Sequence, residues 1–590
     1  MRVALLDQGT DKMMKSTQVD TIKDHAFLTE LFNEIETKFD VNALVHYDVH
    51  LWPLVRLQLG RSFKYSDVLT DAGKLGNVNE ADQPQAGPII GMPRNKHERS
   101  QLIREHAKLA RTNFDASQAR FQTDLETMKR HSGSDFAVLT KIEKYYLKKQ
   151  DGYFAPILDP ISSDLSERSS VVRLAIEPCD IDFVHTPLKI DADAYLACHS
   201  WTKEEANPAV RASLNEIIDY AAVRWPDWKI TSNQVLSRID RLRERRDFFF
   251  EIFRALKPRT IVVSSFTGWM HALWAAKDLG IPVIDVQHGG QGPIHFPSTH
   301  YARFPETGYH LLPDVFWLWG KQNLNHALPW NPGAARSRHL PSVGGHRGVA
   351  SWIASKSNGE LPDADKTFLS QKRDKKCVLI TLSYAIDPLM PLMLFDLIEA
   401  RLDLHWMIRL HPIHRPEKAE QQIRDRLANI DGVSFEIDQV TLVQLQTALF
   451  VADYHITPFS TSVREALAFG VPSAICHEAG FPLFREEIEL GLLGFSETAG
   501  GLSELIETGL KTGKSGTGVN EDAVSVSVED LWATVGLAEK VRREALPLTS
   551  SAMKNDDGLY GKRLEREQQK PPKRRLKKSW LQKRLGHLFN

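Results

Sequence analysis

The sequence predicts an α/β protein whose core is two doubly wound domains facing each other across a cleft, with a helical extension before them and a basic tail after them. Three observations predict this. Short apolar runs alternate with amphipathic helical stretches from residue 259 onward, and the alternation starts again at Cys377 after a polar stretch. Two segments far apart in the chain each adjoin such a run and end in groups suited to holding a phosphate or moving a proton. Strand–helix–strand repetition with continuously apolar strands is the pattern of a parallel sheet covered on both faces.

Residues 1–70 read as helical: Thr21 to Phe39 is amphipathic, and His50 to Leu59 continues an apolar face. Residues 71–100 are rich in Gly, Pro, Asn and Asp and read as a loop. Asn95 to Arg130 is charged and helical. Asp135–Leu139 and Ser170–Ile176 are strand candidates, and Glu205–Trp225 and Val235–Leu256 read as long helices. Thr260–Ser264 is a strand, Trp269–Leu279 a helix ended by Gly280, and Pro282–Val286 and Val315–Trp319 are strands. A further short strand precedes Gly344-Gly345. Residues 346–375 are polar, contain Gly359 and Pro362, and read as a linker.

The second unit opens with strand Cys377–Leu382. Helix Pro391–Ala400 has its proline in the first turn, where the missing N–H costs nothing. Strand Trp406–Leu410, helix Lys418–Leu427, strand Val433–Phe435, helix Leu442–Phe450, strand Tyr454–Thr457, helix Ser462–Phe469 and strand Pro472–Cys476 follow. The expected domains are 1–130 (helical), 131–350 (first α/β), 376–510 (second α/β) and 511–590 (helices and tail).

Composition excludes several classes. With 42% hydrophobic and 25% charged residues the chain is ordinary for a globular protein. A net charge of −1 argues against nucleic acid as a partner. The four cysteines, Cys179, Cys198, Cys377 and Cys476, include no CxxC spacing, so neither a disulfide framework nor a zinc site is indicated. No signal peptide and no apolar run long enough to span a bilayer is read, so a cytoplasmic location is expected.

His288 ends the run Val283-Ile284-Asp285-Val286-Gln287-His288-Gly289-Gly290. Ligands of parallel sheets bind beyond the carboxyl ends of the strands. Gly289 and Gly290 let backbone approach a ligand closely, and an imidazole there suits a general base. The plain structural alternative is a histidine bonding a loop carbonyl. Asp285, inside the strand, reads as a buried hydrogen-bonded group. Arg409 and His411, two residues apart at another strand end, share one face and offer a charged fork and an imidazole to a diphosphate or carboxylate. A surface Arg–His pair on a turn is the alternative.

Ser460, Thr461 and Ser462 lie between a strand and a helix, where hydroxyls and unpaired N–H groups favour an anion. They also read as ordinary N-caps, in a partial capping box. Glu465 on the first helical turn can bind ribose hydroxyls or merely complement the helix dipole. The Asp-x-Asp pairs Asp180/Asp182, Asp191/Asp193 and Asp363/Asp365 end no convincing strand, so no metal site and no cofactor is expected.

Together the His-Gly turn, Arg409-Leu410-His411-Pro412, and the hydroxyl cluster leading into Glu465-Ala466-Leu467-Ala468-Phe469-Gly470-Val471-Pro472 resemble the GT-B glycosyltransferases. The pattern is most similar to bacterial surface-polysaccharide transferases of the CDP-glycerol glycerophosphotransferase and HP-motif sialic-acid or Kdo kinds. The resemblance covers roughly residues 259–500. It implies two Rossmann-like domains, the first on the acceptor side and the second binding the nucleotide, usually without an essential metal. It further implies His288 as base, Arg409, His411 and Ser460 to Ser462 on donor phosphates, and Glu465 on the ribose. The donor would be CMP-, CDP- or UDP-linked and the acceptor a glycan or a lipid-linked glycan. The turn continues as Gly290-Gln291-Gly292-Pro293, not as the Thr-Pro-Leu-Lys stretch of the glycerophosphotransferases, which argues against glycerol phosphate. Two rivals stay open: a non-hydrolysing nucleotide-sugar epimerase on the same fold, and a non-catalytic glycan-binding or scaffold protein.

The tail is basic from residue 561. Over 570–589, Lys and Arg residues interleave with Leu576, Trp580, Leu581, Leu585, Leu588 and Phe589. That composition suits an interfacial helix on an anionic membrane, which would make the protein peripheral at the inner face. A solvated tail is the alternative.

Overall fold

A computed structural model of the chain describes residues 27–60, 104–105, 107–140, 147–149, 152–176, 187–199, 201–225, 230–289, 297–327, 338–383, 388–411, 417–514, 520 and 522–544. Gly290, Pro412, Asp180 and Asp182, the loop expected over 71–100 and the basic tail lie outside the described residues.

Two parallel sheets form the frame. The first has seven strands: β1 (Phe136–Thr140), β2 (Val171–Ala175), β3 (Leu188–Lys189), β4 (Thr260–Ser264), β5 (Val283–Val286), β6 (Val315–Leu318) and β7 (Leu340–Val343), in the order β7-β6-β5-β4-β1-β2-β3. The second has six: β8 (Cys377–Thr381), β9 (His405–Arg409), β10 (Ser434–Glu436), β11 (Tyr454–Thr457), β12 (Ser473–Ile475) and β13 (Gly494–Phe495), in the order β10-β9-β8-β11-β12-β13. Counted from its own first strand, each sheet runs 3-2-1-4-5-6, the doubly wound order, with the first sheet adding a seventh strand. The direction of winding therefore reverses between β1 and β4 in one sheet and between β8 and β11 in the other. The expected fold class, two Rossmann-like α/β units, is the observed one.

The strands are apolar on both sides because both sides are covered. Val378 and Ile380 of β8 pack in one cluster with Trp406, Ile408 and Ile456. Leu379, between them, packs in another with Met407, Phe368 and Ala448. In the first sheet, Ile261 and Val263 face one cluster and Val262 the other. Side chains alternate faces along a strand, so this division follows from burial of both faces.

Helix α1 (Ser232–Leu256) starts three residues before the apolar periodicity suggests. Thr231 and Gln234 form a reciprocal capping box that sets its beginning. It packs with α2 (Met270–Asp278) against the first sheet.

The stretch read as a linker is two helices, α3 (Arg347–Ser357) and α4 (Asp363–Ser370). Its polar composition conceals a short apolar stripe: Val349, Trp352 and Phe368 are buried. The single helix expected over Leu442–Phe450 is two short ones, α5 (Asp438–Leu442) and α6 (Leu445–Val451), broken where Val443 turns to extended backbone. Beyond β11 come α7 (Ser462–Ala468), α8 (Phe481–Glu489) and α9 (Ala499–Thr512).

The chain crosses between the sheets twice. After β7 it passes Gly344-Gly345-His346 into α3 and on to β8. It returns at Ser525, whose N–H donates to the Trp319 carbonyl (2.8 Å) and whose carbonyl accepts from His346 N–H (2.8 Å). Gly345 has φ +85°, and a Cβ there would sit 2.6 Å from the Ser525 carbonyl oxygen. The crossings thus run side by side where only glycine fits. The helix starting at 528 then places Leu531, Val535 and Ala538 against Phe136, Val138 and Val262 of the first sheet.

The N-terminal helices, 27–38 and 52–60, bury Leu28, Phe32, Trp52 and Val55 in the same cluster as the first sheet. At their centre is a fully buried ion pair, Glu36 with Arg56 (2.7 Å). Arg56 also donates to the carbonyls of Thr299 and His300. Glu36 accepts from the N–H groups of Ala302 (2.6 Å) and Arg303 (3.2 Å). One charge pair so holds the backbone that follows the His288 loop.

Candidate functional site

The first wall grows from β4 and β5. Asp285 is fully buried in β5, where an unpaired carboxylate would be costly, and it accepts from Phe266 N–H (2.9 Å). Gln287, also fully buried, braces the next turn. Its Nε2 donates to the Gly289 carbonyl (3.0 Å). Its Oε1 accepts from Trp319 N–H, and its carbonyl from the Trp319 indole, both at 2.9 Å. His288 emerges from this braced strand end with an exposed ring. Ser265 Oγ lies 2.9 Å from its Nε2 and 3.2 Å from its Nδ1. Surrounding protein dehydrates the imidazole and lowers its pKa below the ordinary histidine value. The open face of the ring moderates that shift, and at neutral pH His288 is unprotonated.

The second wall is the switch point of the second sheet. Thr381 ends β8, and its Oγ1 lies 2.9 Å from His455 Nε2 and 2.8 Å from Ser462 Oγ. Thr457 Oγ1 donates to the Thr381 carbonyl (2.8 Å) and accepts from Ser460 N–H (3.1 Å). Burial lowers the His455 pKa to about 3, so this is a neutral network. Ser462 therefore faces inward. Ser460 and Thr461 are half-buried, and Ser460 Oγ accepts from Ser462 N–H (3.3 Å). Thr461 occupies the N-cap position of α7 without a side-chain cap bond, so the capping-box geometry is not formed there.

The two walls meet. A Cβ built on Gly289 would stand 3.8 Å from Thr461 Oγ1. The His-Gly turn of the first sheet and the hydroxyl loop of the second, 172 residues apart in sequence by subtraction of these two positions, are neighbours in space.

The remaining predicted residues sit farther along the second sheet. Arg409, at the end of β9, donates through Nη1 to the carbonyls of Val440 and Val443 (2.8 Å to the latter), and so holds the end of α5. His411 is half-buried just past that strand. Glu465 is buried; its Oε1 accepts from Gln446 Nε2 (2.7 Å) and lies 3.5 Å from His346 Nε2. Burial raises its pKa to about 7, against the opposing pull of Gln446 and the Arg409 charge. Burial lowers that of His346 to about 4. His346 Nδ1 accepts from Val349 N–H (3.2 Å), which leaves the proton on Nε2, directed at Glu465. At neutral pH this is a neutral imidazole beside a carboxyl near half-protonation.

Two acidic positions are occupied structurally. Asp191 Oδ1 accepts from Ala194 N–H (2.9 Å) as a helix cap, and Asp365 Oδ1 accepts from Gln444 N–H (3.1 Å) and the Thr447 hydroxyl.

Sequence reasoning passed over Ser265, Thr381 and His455. Thr381 ends β8 and His455 lies in β11, beside a switch point, where a hydroxyl or imidazole was the available signal; Ser265 follows β4 and gave none.

No family model matches the chain, and no curated protein sequence matches it. Among solved structures it is similar to the UDP-GlcNAc 2-epimerase from Methanocaldococcus jannaschii, at 12% identity over 68% of this chain and 99% of that one, with a TM-score of 0.41. It is similar to the UDP-GlcNAc 2-epimerase from Neisseria meningitidis bound to UDP-GlcNAc, at 14% identity over 70% and 99%, with a TM-score of 0.39. It is also similar to SsfS6, a glycosyltransferase from Streptomyces sp. SF2575, at 13% identity over 70% and 95%, with a TM-score of 0.31. At these values no residue role is carried over from them, and the architecture rests on the strand orders themselves.

Proposed function

We propose that the chain transfers a sugar, or a sugar-like or polyol-phosphate group, from a nucleotide-activated donor to a surface-polysaccharide or lipid-linked acceptor. His288 acts as general base on the acceptor hydroxyl, and its neutral state leaves a lone pair for that proton. Ser460, Thr461, Arg409 and His411 hold the donor phosphates. Ser462 supports that loop from within. Glu465 reaches the ribose, a role that requires its carboxylate to exchange Gln446 or His346 for ribose hydroxyls. The observation that supports this reading is the approach of Gly289 to Thr461, because Gly289 adjoins His288 and Thr461 belongs to the hydroxyl-bearing loop.

The test is a thermal-shift screen with CMP-, CDP-, UDP- and GDP-sugars in EDTA. A nucleotide that binds only the folded state raises the melting temperature, by mass action. The nucleotide that binds is then incubated with and without candidate glycan acceptors. Product that appears only with an acceptor supports transfer. An epimerised nucleotide sugar formed without acceptor makes the protein an epimerase instead. No shift with any nucleotide removes the enzymatic reading in favour of a glycan-binding or scaffold role.

A further inference from the structure

We propose that Gln287 is a positioning residue for His288: its side-chain amide takes the place of a backbone rung between β5 and β6, parts the two strands there, and so sets where the imidazole leaves the sheet. The proposal rests on the functional reading above, in which His288 is the base.

The first ground is an exchange of hydrogen bonds. β5 and β6 pair in parallel, Ile284 with Val315, Asp285 with Phe316 and Val286 with Trp317. Gln287 N–H continues this ladder by donating to the Trp317 carbonyl (2.9 Å). The bonds of a parallel ladder are evenly spaced, so the next would run from Trp319 N–H to the Gln287 carbonyl. Trp319 N–H donates instead to Gln287 Oε1, and the Gln287 carbonyl accepts instead from the Trp319 indole, both at 2.9 Å. Both backbone groups keep a partner, as buried ones must. Each bond now runs through a side chain, so the two backbones diverge at the level where His288 turns out.

The second ground is that the amide has one orientation. Facing Trp319 N–H, only its oxygen can accept; facing the Gly289 carbonyl, only its Nε2–H can donate (3.0 Å). The side chain therefore spans His288, from the neighbouring strand to the residue just past the imidazole. Gln287 is fully buried, where an amide without these partners would be costly. Asp285 lies two residues earlier, on the same face of the strand, and accepts from Phe266 N–H (2.9 Å) in the turn after β4. Asp285 thus ties this strand end toward β4, and Gln287 ties it toward β6.

The third ground is what the amide does that an apolar side chain of the same length cannot. Without it the Gly289 carbonyl loses its donor and Trp319 N–H loses its acceptor, so the turn is released on both sides of His288. A general base must be held within hydrogen-bond reach of the proton it takes. The amide supplies that hold without touching the ring or anything the ring acts on.

The experiment needs no substrate. Full-length protein labelled at histidine with ¹³C and ¹⁵N is titrated by NMR, and His288→Gln identifies the resonances of His288. The wild-type ring titrates below the ordinary histidine range because surrounding protein dehydrates it. In Gln287→Met the released turn admits water to the ring, and the midpoint should rise by at least about half a pH unit, about threefold in proton affinity. Gln287→Asn keeps an amide too short to span both partners; it should shift the midpoint the same way, and it serves if the methionine variant does not fold. Leu394→Ala, in the core of the second sheet, should lower the melting temperature and leave the His288 midpoint in place. A midpoint unchanged or lowered in the folded Gln287 variants, or raised equally by Leu394→Ala, overturns the proposal. Full activity in His288→Ala would end the functional reading and leave this titration standing, so the two failures are distinguishable.

Discussion

Nε2 of His346 stands 3.5 Å from Oε1 of Glu465, and this contact joins the end of the first sheet to a helix of the second. The His346 ring packs on Trp319 with centroids 4.4 Å apart. Trp319 is in turn bonded twice to Gln287, the residue before His288. A continuous line of contacts therefore runs from the α7 carboxyl to the His-Gly turn.

Glu465 makes folding stability depend on pH. Its folded-state pKa, about 7, lies above its ordinary 4.5. The folded state accordingly binds the proton more tightly, and stability falls as pH rises between these values. Glu465→Gln has no such group. The melting temperature of this variant relative to wild type should climb across that window. His346, whose dependence is opposite, is present in both proteins and enters the difference only through its 3.5 Å contact with Glu465. A difference that stays flat or declines with pH would show the carboxyl to be ordinary.

His288→Ala should abolish transfer with the fold intact, read by circular dichroism and melting. Most of the turnover surviving, with a verified donor and acceptor, would remove His288 from the mechanism.

Gly289 tests the meeting of the walls. Its Cβ position has an ordinary van der Waals distance to Thr461, 3.8 Å. Gly289→Ala should be nearly silent, whereas Gly289→Leu should fill the gap and lower nucleotide affinity by at least about tenfold, or about 1.4 kcal/mol. Calorimetry giving equal affinity for both would place the nucleotide elsewhere.

Arg56→Ala should destabilise the protein by about 3–5 kcal/mol, because it leaves Glu36 charged, buried and unpaired. Denaturant unfolding measures this. Replacing both members, Glu36→Leu with Arg56→Met, should recover a large part of the loss. A single-variant cost below about 1 kcal/mol would mean that the pair is solvated.

The basic tail, 570–589, is expected to hold the protein on anionic vesicles, each Lys or Arg near the surface contributing about 1 kcal/mol. A chain ending near residue 560 should lose that binding in co-sedimentation. Equal binding with and without the tail would dismiss the idea. Among the described residues no helix is long and apolar enough to cross a membrane.

The strands were the most legible part of the sequence. Thr260–Ser264 and Tyr454–Thr457 match the expected strands to the residue, because each is free of charged side chains and built mainly of β-branched or aromatic ones. Helices with narrow buried stripes were less so. Val349 and Trp352 point inward from a segment whose composition is that of a linker. Of the candidate site, the His-Gly turn and the hydroxyl loop were visible as strand ends, but their approach to each other depends on tertiary packing. Ser265 was invisible for a different reason: its φ is imposed by Asp285 and by the turn around it, and no local spacing announces a left-handed serine. The polar partners of Arg409 and Glu465 were likewise hidden, since both are backbone or side-chain groups from elements read only as helices.

The paired crossings at His346 and Ser525 bind the two sheets like the leaves of a book along a single spine. The two crossings are bonded to one another there, so neither can shift along the other without losing that bond. Gly345 and Ser525, which lie away from His288 and Thr461, thus help to set how the two sheets stand to one another.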